Sequence, residues 1–187
     1  MPSPMVTVDG FGVPVEVAGP EGGSVVVVLG AAHQSPSVYG GVCQRLHTAS
    51  LRTVVIGPDP RLTAKSVISI LDTLGVRWAL LVGDRFGGEL AWELAATRLD
   101  RFIGLVVIDR GHPRVADLTG VVRDEHCPPV ELNTTALVSS SAARAVAKAS
   151  QRYVYGEYRI VDLLGRRNAA DSTAQLAAEI VMRTSTW

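Results

Sequence analysis

A chain of 187 residues with 18 Lys+Arg against 18 Asp+Glu has room for one domain with a substantial core and carries no net field that would draw it to nucleic acid or an anionic membrane. Its residues are 47% hydrophobic but only 5% aromatic, which suits aliphatic strands under alanine-rich helices, and no stretch approaches the ~18 apolar residues of a bilayer span. Met1-Pro-Ser-Pro-Met5 lacks the basic patch and apolar run of a secretory leader; the expected setting is the cytoplasm, with Cys43 and Cys127 as free thiols in neither C-x-x-C nor metal-ligand spacing.

Taken in chain order, Val6 to Val8 and Val13 to Val17 flank Asp9-Gly10-Phe11-Gly12, so two short runs of strand formers meet at a turn and predict a hairpin. Val25 to Leu29 is continuously apolar and β-branched, as a strand buried on both faces reads. Ser35-Pro36 supplies an N-cap followed by proline at the first helical position, and Val38, Val42 and Leu46 then share one face, predicting a helix over 36–47. Cys43 lies beside that face and is expected to pack. Val54 to Ile56 predicts the next buried strand, ended by Gly57-Pro58-Asp59-Pro60. Thr63 caps a predicted helix whose Val67, Ile70, Leu71 and Leu74 form a stripe stopped by Gly75.

The apolar run Ala79 to Val82 leads directly into Gly83-Asp84-Arg85-Phe86-Gly87-Gly88. A helical pattern with Leu90, Ala91, Leu94 and Ala95 follows, to about Thr97. Leu105 to Ile108 predicts another buried strand. Residues 109–133 carry Gly111, Pro113, Gly120, Pro128 and Pro129 with little periodicity and read as a long surface connection, in which Cys127 is a candidate for exposure. Thr135 to Val138 predicts a strand, Ala142, Ala145, Val146 and Ala149 a helix, and Arg159 to Leu163 the last strand. Ser172 and Gln175 have capping-box spacing for a final helix that turns Leu176, Ala177, Ile180 and Val181 inward. Strands alternating with amphipathic helices predict an α/β fold, a mostly parallel central sheet with helices on both faces, in one domain over 1–187.

A strand, a sharp glycine-flanked turn and a helix are the setting of the G-x-S-x-G nucleophile elbow. Together with Leu29-Gly30 at the end of the first buried strand, Tyr39 at the start of the first helix and the Pro58-Asp59 loop, this order of elements resembles the α/β-hydrolase fold family across nearly the whole chain. The resemblance implies an ester or amide hydrolase with a serine, histidine and acid. In that frame Phe86 and Ala31 or Ala32 would offer backbone N–H donors to an oxyanion.

The chain departs from the family where the chemistry lies. Arg85 stands at the serine's position, and a guanidinium has no lone pair to attack an acyl carbon. An aspartate nucleophile would also have to occupy position 85, whereas Asp84 precedes it. The acid's usual place offers Ser139, Ser140 and Ser141, and the histidine's usual place, in Gly165-Arg166-Arg167-Asn168, offers Asn168 as the nearest match. Removing a triad nucleophile costs on the order of a millionfold in a serine protease.

The expected function is therefore non-catalytic binding of a small molecule or a protein. Arg85, Phe86, Ala31, Ala32 and Asp109 are the candidate ligand residues, and the ligand's anionic group would face Arg85 beside a helix N-terminus. A salt bridge from Arg85 to Asp109 or Asp59 is the structural alternative. Asp84, next to a cation and a helix start, is expected to be held ionised with a low pKa. His33 and His112 are candidate relocated bases, and Asp109 is a candidate orienting acid. A second reading is an active hydrolase with a relocated nucleophile, Ser35 or one of Ser139 to Ser141. In a third, an exposed apolar patch pairs the chain with a protein partner or a second copy. No Walker A loop, dinucleotide fingerprint, zinc spacing or basic recognition helix is present, so no cofactor, metal or nucleic acid is expected.

Overall fold

The computed structural model describes residues 3–163 and 172–185. Among these, eight strands form one sheet: β1 (Ser3–Val6), β2 (Gly12–Ala18), β3 (Val25–Leu29), β4 (Arg52–Ile56), β5 (Ala79–Asp84), β6 (Phe102–Ile108), β7 (Thr134–Val138) and β8 (Tyr158–Asp162). Their spatial order is β1-β2-β4-β3-β5-β6-β7-β8. β2 pairs antiparallel with both β1 and β4, and the pairs from β4 to β8 are all parallel. The α-helices are α1 (Gly40–Thr48), α2 (Ala64–Thr73), α3 (Phe86–Thr97), α4 (Ser141–Ser150) and α5 (Thr173–Thr184).

The period of two along each strand divides the side chains between two cores. Val27 and Leu29 of β3 pack with Val67 and Leu71 of α2, Trp92 of α3 and Ala143 of α4. Val26 and Val28 point the other way, to Val42 and Leu46 of α1 and to Leu176 and Ile180 of α5. Both faces of the central strands are thus covered, which is why β3 and β5 read as unbroken apolar runs. No helix among the described residues is long and apolar enough to cross a membrane.

Local capping follows the sequence at two helices and departs from it at a third. Ser35 Oγ accepts the Ser37 N–H at 3.4 Å and opens a single 3₁₀ turn, Pro36–Tyr39, ahead of α1. Thr63 and Ser66 close a reciprocal box at α2, with Ser66 N–H to Thr63 Oγ1 at 3.1 Å and Thr63 N–H to Ser66 Oγ at 3.3 Å. At α5 the predicted box does not form: Ser172 makes no cap bond, and Gln175 Nε2 donates to the Asp162 carbonyl at 2.7 Å. The first strand also lies earlier than expected, because Thr7 N–H bonds Phe11 O at 2.8 Å and so becomes part of the turn.

The parallel register aligns the carboxyl ends of β3, β5, β6 and β7: Leu29 faces Gly83, Asp84 faces Ile108, and Ile108 faces Leu137. The turns that leave these strands therefore meet along one edge of the sheet.

Candidate functional site

The turn between β5 and α3 is built by close backbone approach. A Cβ on Gly83 would lie 2.6 Å from both Ala91 Cβ and Gly88 Cα, and one on Gly87 would collide with the Leu29 carbonyl. With that packing fixed, Arg85 takes φ 49 and ψ −101 at the apex, a conformation that costs a non-glycine residue about 1–3 kcal/mol. Its N–H donates to Ile108 O at 2.9 Å, and its carbonyl accepts the Gly88 N–H at 2.9 Å. A guanidinium thus stands at the tip of a sharp, strained turn between β5 and α3.

That guanidinium faces two carboxylates. Arg85 Nη1 donates to Asp84 Oδ1 at 3.0 Å, and Arg85 Nε lies 3.8 Å from Asp109 Oδ2. The pairing with Asp109 anticipated from sequence is present. Asp59 is instead held by Arg61, through Nε at 3.0 Å and Nη2 at 2.8 Å. Asp109 follows β6 with φ 51, and it accepts the Ser139 N–H at 2.8 Å and the Ser139 hydroxyl.

Asp84 corrects the expectation of a low pKa. It is 2% exposed, and burial raises its carboxyl above the ordinary carboxylate range, against the lowering effects of its bond from Tyr39 and its charge contact with Arg85. Loss of water outweighs the adjacent cation because the side chain sits at a strand end under Tyr39.

Tyr39 is the residue that sequence reasoning placed but did not use. It is buried. Its hydroxyl donates to Asp84 Oδ2 at 2.7 Å and accepts the Ala31 N–H at 2.9 Å. The Ala31 amide, expected to serve an oxyanion, is therefore occupied by a phenol oxygen. Ala32 is exposed. Burial and the neighbouring Asp84 push the Tyr39 hydroxyl above its usual range, so it stays protonated and keeps its donor role.

The two candidate bases separate. His33 is exposed in the turn after β3 at φ 61. His112 is fully buried: its ring stacks on Tyr153 at 4.8 Å and meets Trp92 edge-on at 5.5 Å. Nδ1 accepts the Arg114 N–H at 3.2 Å, leaving Nε2–H to donate to Pro128 O at 2.8 Å. Both nitrogens are used inside the protein, and burial lowers the pKa; His112 is a core histidine. Among the described residues no imidazole nitrogen bonds a serine hydroxyl: His47 bonds Thr53, and His126 pairs with Glu125. Ser35 is spent as a cap. Cys127, a candidate for exposure, is 1% exposed, and burial next to Asp124 pushes its thiol up to about 12. Asn168 lies outside the described residues. No group of three or more His, Cys, Asp and Glu among the described residues is placed to hold a metal ion.

Beside the turn into α3 opens a cleft of about 200 Å³. Leu29, Ile56, Leu62, Phe86 and Leu90 form its apolar wall, and Asp59, Glu89 and Glu93 its polar one. Of the ligand candidates taken from sequence, Phe86 lines this cleft, and Arg85, Ala31, Ala32 and Asp109 do not. Glu89 and Glu93 share one face of α3 at i, i+4 spacing, a signal that was open to a reading of the sequence.

An eight-stranded, mostly parallel sheet with helices on both faces and a sharp turn after the central strand is the α/β-hydrolase fold, and the described residues have it. No protein-family model and no curated protein sequence matches the chain. Solved structures do match. An epoxide hydrolase from metagenomes of hot environments is 11% identical with a TM-score of 0.81, covering 100% of this chain and 99% of its own. A hydrolase from Pseudomonas aeruginosa is 14% identical with a TM-score of 0.79, covering 99% and 98%. An esterase from Exiguobacterium antarcticum is 14% identical with a TM-score of 0.79, covering 99% and 100%. At these identities the likeness is one of fold.

Proposed function

We propose that this protein is a non-catalytic α/β-hydrolase-like protein that binds a small molecule in the cleft between the ends of β3 and β4 and the start of α3. The observation that carries this reading is the apex of the elbow. Where an attacking oxygen would stand, Arg85 holds a permanent cation against Asp84 and Asp109. Two further features support it. The Ala31 amide is bonded to Tyr39, so a developing oxyanion would have to displace a phenol. Asp84 Oδ2, which accepts from that phenol, would repel such an anion.

The nearest alternative is Ser139, whose hydroxyl bonds Asp109. A serine bonded to a carboxylate, with no imidazole nitrogen bonded to either residue among those described, lacks the general base that raises nucleophilicity in a triad. The test is direct: purified protein is incubated with short-chain p-nitrophenyl esters and with a fluorophosphonate probe. The expected outcome is no turnover in proportion to protein concentration and no adduct by mass spectrometry. A single labelled serine, whose alanine variant loses turnover, overturns the proposal.

A further inference from the structure

The cleft beside the elbow has a one-sided charge. Its lining includes Asp59, Glu89 and Glu93 and no lysine, arginine or histidine. Two of the three carboxylates are already matched from outside the cleft: Asp59 by Arg61 and Glu89 by Arg110, each at 2.8 Å. The Glu93 carboxylate has neither a hydrogen bond nor an ion pair among the described residues. Leu62, Phe86 and Leu90 give the same cleft its apolar surface.

We infer that the cleft selects a small organic amine, with its apolar body against Leu62, Phe86 and Leu90 and its ammonium group on Glu93. This rests on the reading of the cleft as the ligand site and adds the class of ligand. The volume of about 200 Å³ is below the ~300–1,000 Å³ of drug-sized ligand sites, so the ligand is a compact one. Charge sets the preference. A carboxylate ligand would meet Glu93 with no basic side chain in the lining to receive it, and like charges brought together at an interface are a strong means of rejecting a wrong partner. Glu93 lines the cleft and is exposed to solvent, so an ammonium can reach it. Its partial burial, with Asp124 and Glu89 close by, raises its carboxyl above the ordinary range, and a bound cation offsets that penalty. The guanidinium of Arg85 does not alter this balance, since it lies outside the lining and faces Asp84 and Asp109.

The experiment is a titration of ¹⁵N-labelled protein with benzylamine, benzyl alcohol and benzoate, three probes of one shape and three charges, followed by amide chemical shifts at neutral pH. The expected result is saturable shifts at Gly57, Phe86, Leu90 and Glu93, with benzylamine about tenfold tighter than the alcohol, equivalent to about 1.4 kcal/mol, and benzoate weakest. In Glu93→Gln the benzylamine advantage collapses while the spectrum keeps its native dispersion and the alcohol binds as before. Benzoate binding as tightly as benzylamine, or an unchanged advantage in Glu93→Gln, overturns the inference and leaves the cleft as a ligand site. If none of the three probes shifts those amides, the reading of the cleft falls, and the inference with it.

Discussion

Tyr39 and Asp84, 45 positions apart in sequence, are joined by a hydrogen bond of 2.7 Å that lies wholly inside the protein. The same phenol receives the Ala31 amide, so one hydroxyl satisfies a buried acceptor and a backbone donor from two different strand ends. Tyr39→Phe keeps the ring and removes both bonds. It is expected to destabilise the fold by about 1–3 kcal/mol, the cost of leaving buried polar groups unpaired. Urea denaturation measures this, and an unchanged midpoint contradicts it.

Asp84 gives the fold a definite pH dependence. Its carboxyl titrates higher in the folded protein than the ordinary carboxylate value. Between those two values the folded state therefore holds a proton that the unfolded chain has released. Its contribution is most favourable at acid pH and is lost as pH rises from the unfolded pKa through the folded one. Asp84→Asn should remove this component, so that the stability difference between variant and wild type changes across that interval and is flat above it. Chemical denaturation at a series of pH values is the measurement, and a difference that does not vary with pH refutes the assignment.

Arg85→Met removes the cation and keeps much of the side-chain volume. Asp84 and Asp109 then lose a shared counter-charge, and breaking a buried ionic contact by deleting one partner costs about 3–5 kcal/mol. Arg85 is part-exposed, so a smaller loss of about 2 kcal/mol is expected here, read from the shift in the urea midpoint. Arg85→Ser should be similarly destabilised, and although it restores the hydroxyl it should still fail to take up a fluorophosphonate. Labelling of the introduced serine would show that the remaining edge can activate a nucleophile.

His112→Ala should act on stability alone. The substitution opens a cavity between Trp92 and Tyr153 and strands the Pro128 carbonyl and the Arg114 amide. A loss of about 3 kcal/mol follows from the cavity and the unpaired groups together. Amine binding in the cleft, measured on the fraction that remains folded, should be unaffected. A selective loss of binding with normal stability would return His112 to a functional role.

What a reader of the sequence can see is governed by distance along the chain. The caps at Ser35 and Thr63 were legible because the groups that meet are two or three residues apart. The buried strands were legible because both their faces are apolar. The sharp turn at Gly83 to Gly88 was legible because its glycines fall between a buried apolar run and a helical pattern. Asp84 was misjudged for the same reason, since Arg85 is its visible neighbour and Tyr39 is not. His112 stood as a candidate base because Tyr153 and Pro128, the groups that enclose it, come from other parts of the chain. The cleft brings Asp59 and Glu93 together from distant stretches, and its acidity emerges only when β4 and α3 are side by side.

The carboxyl edge of the sheet also has a mechanical character. The amides of Ala31, Arg85, Asp109 and Ser139 are all accepted within the protein, by Tyr39, Ile108, Leu137 and Asp109 respectively. Rims of this kind are ordinarily the loosest part of an α/β domain, whereas here successive strand tips are stitched to one another. The tips of β3, β5, β6 and β7 accordingly form one braced rim, in which a shift of any one turn would break a bond to its neighbour.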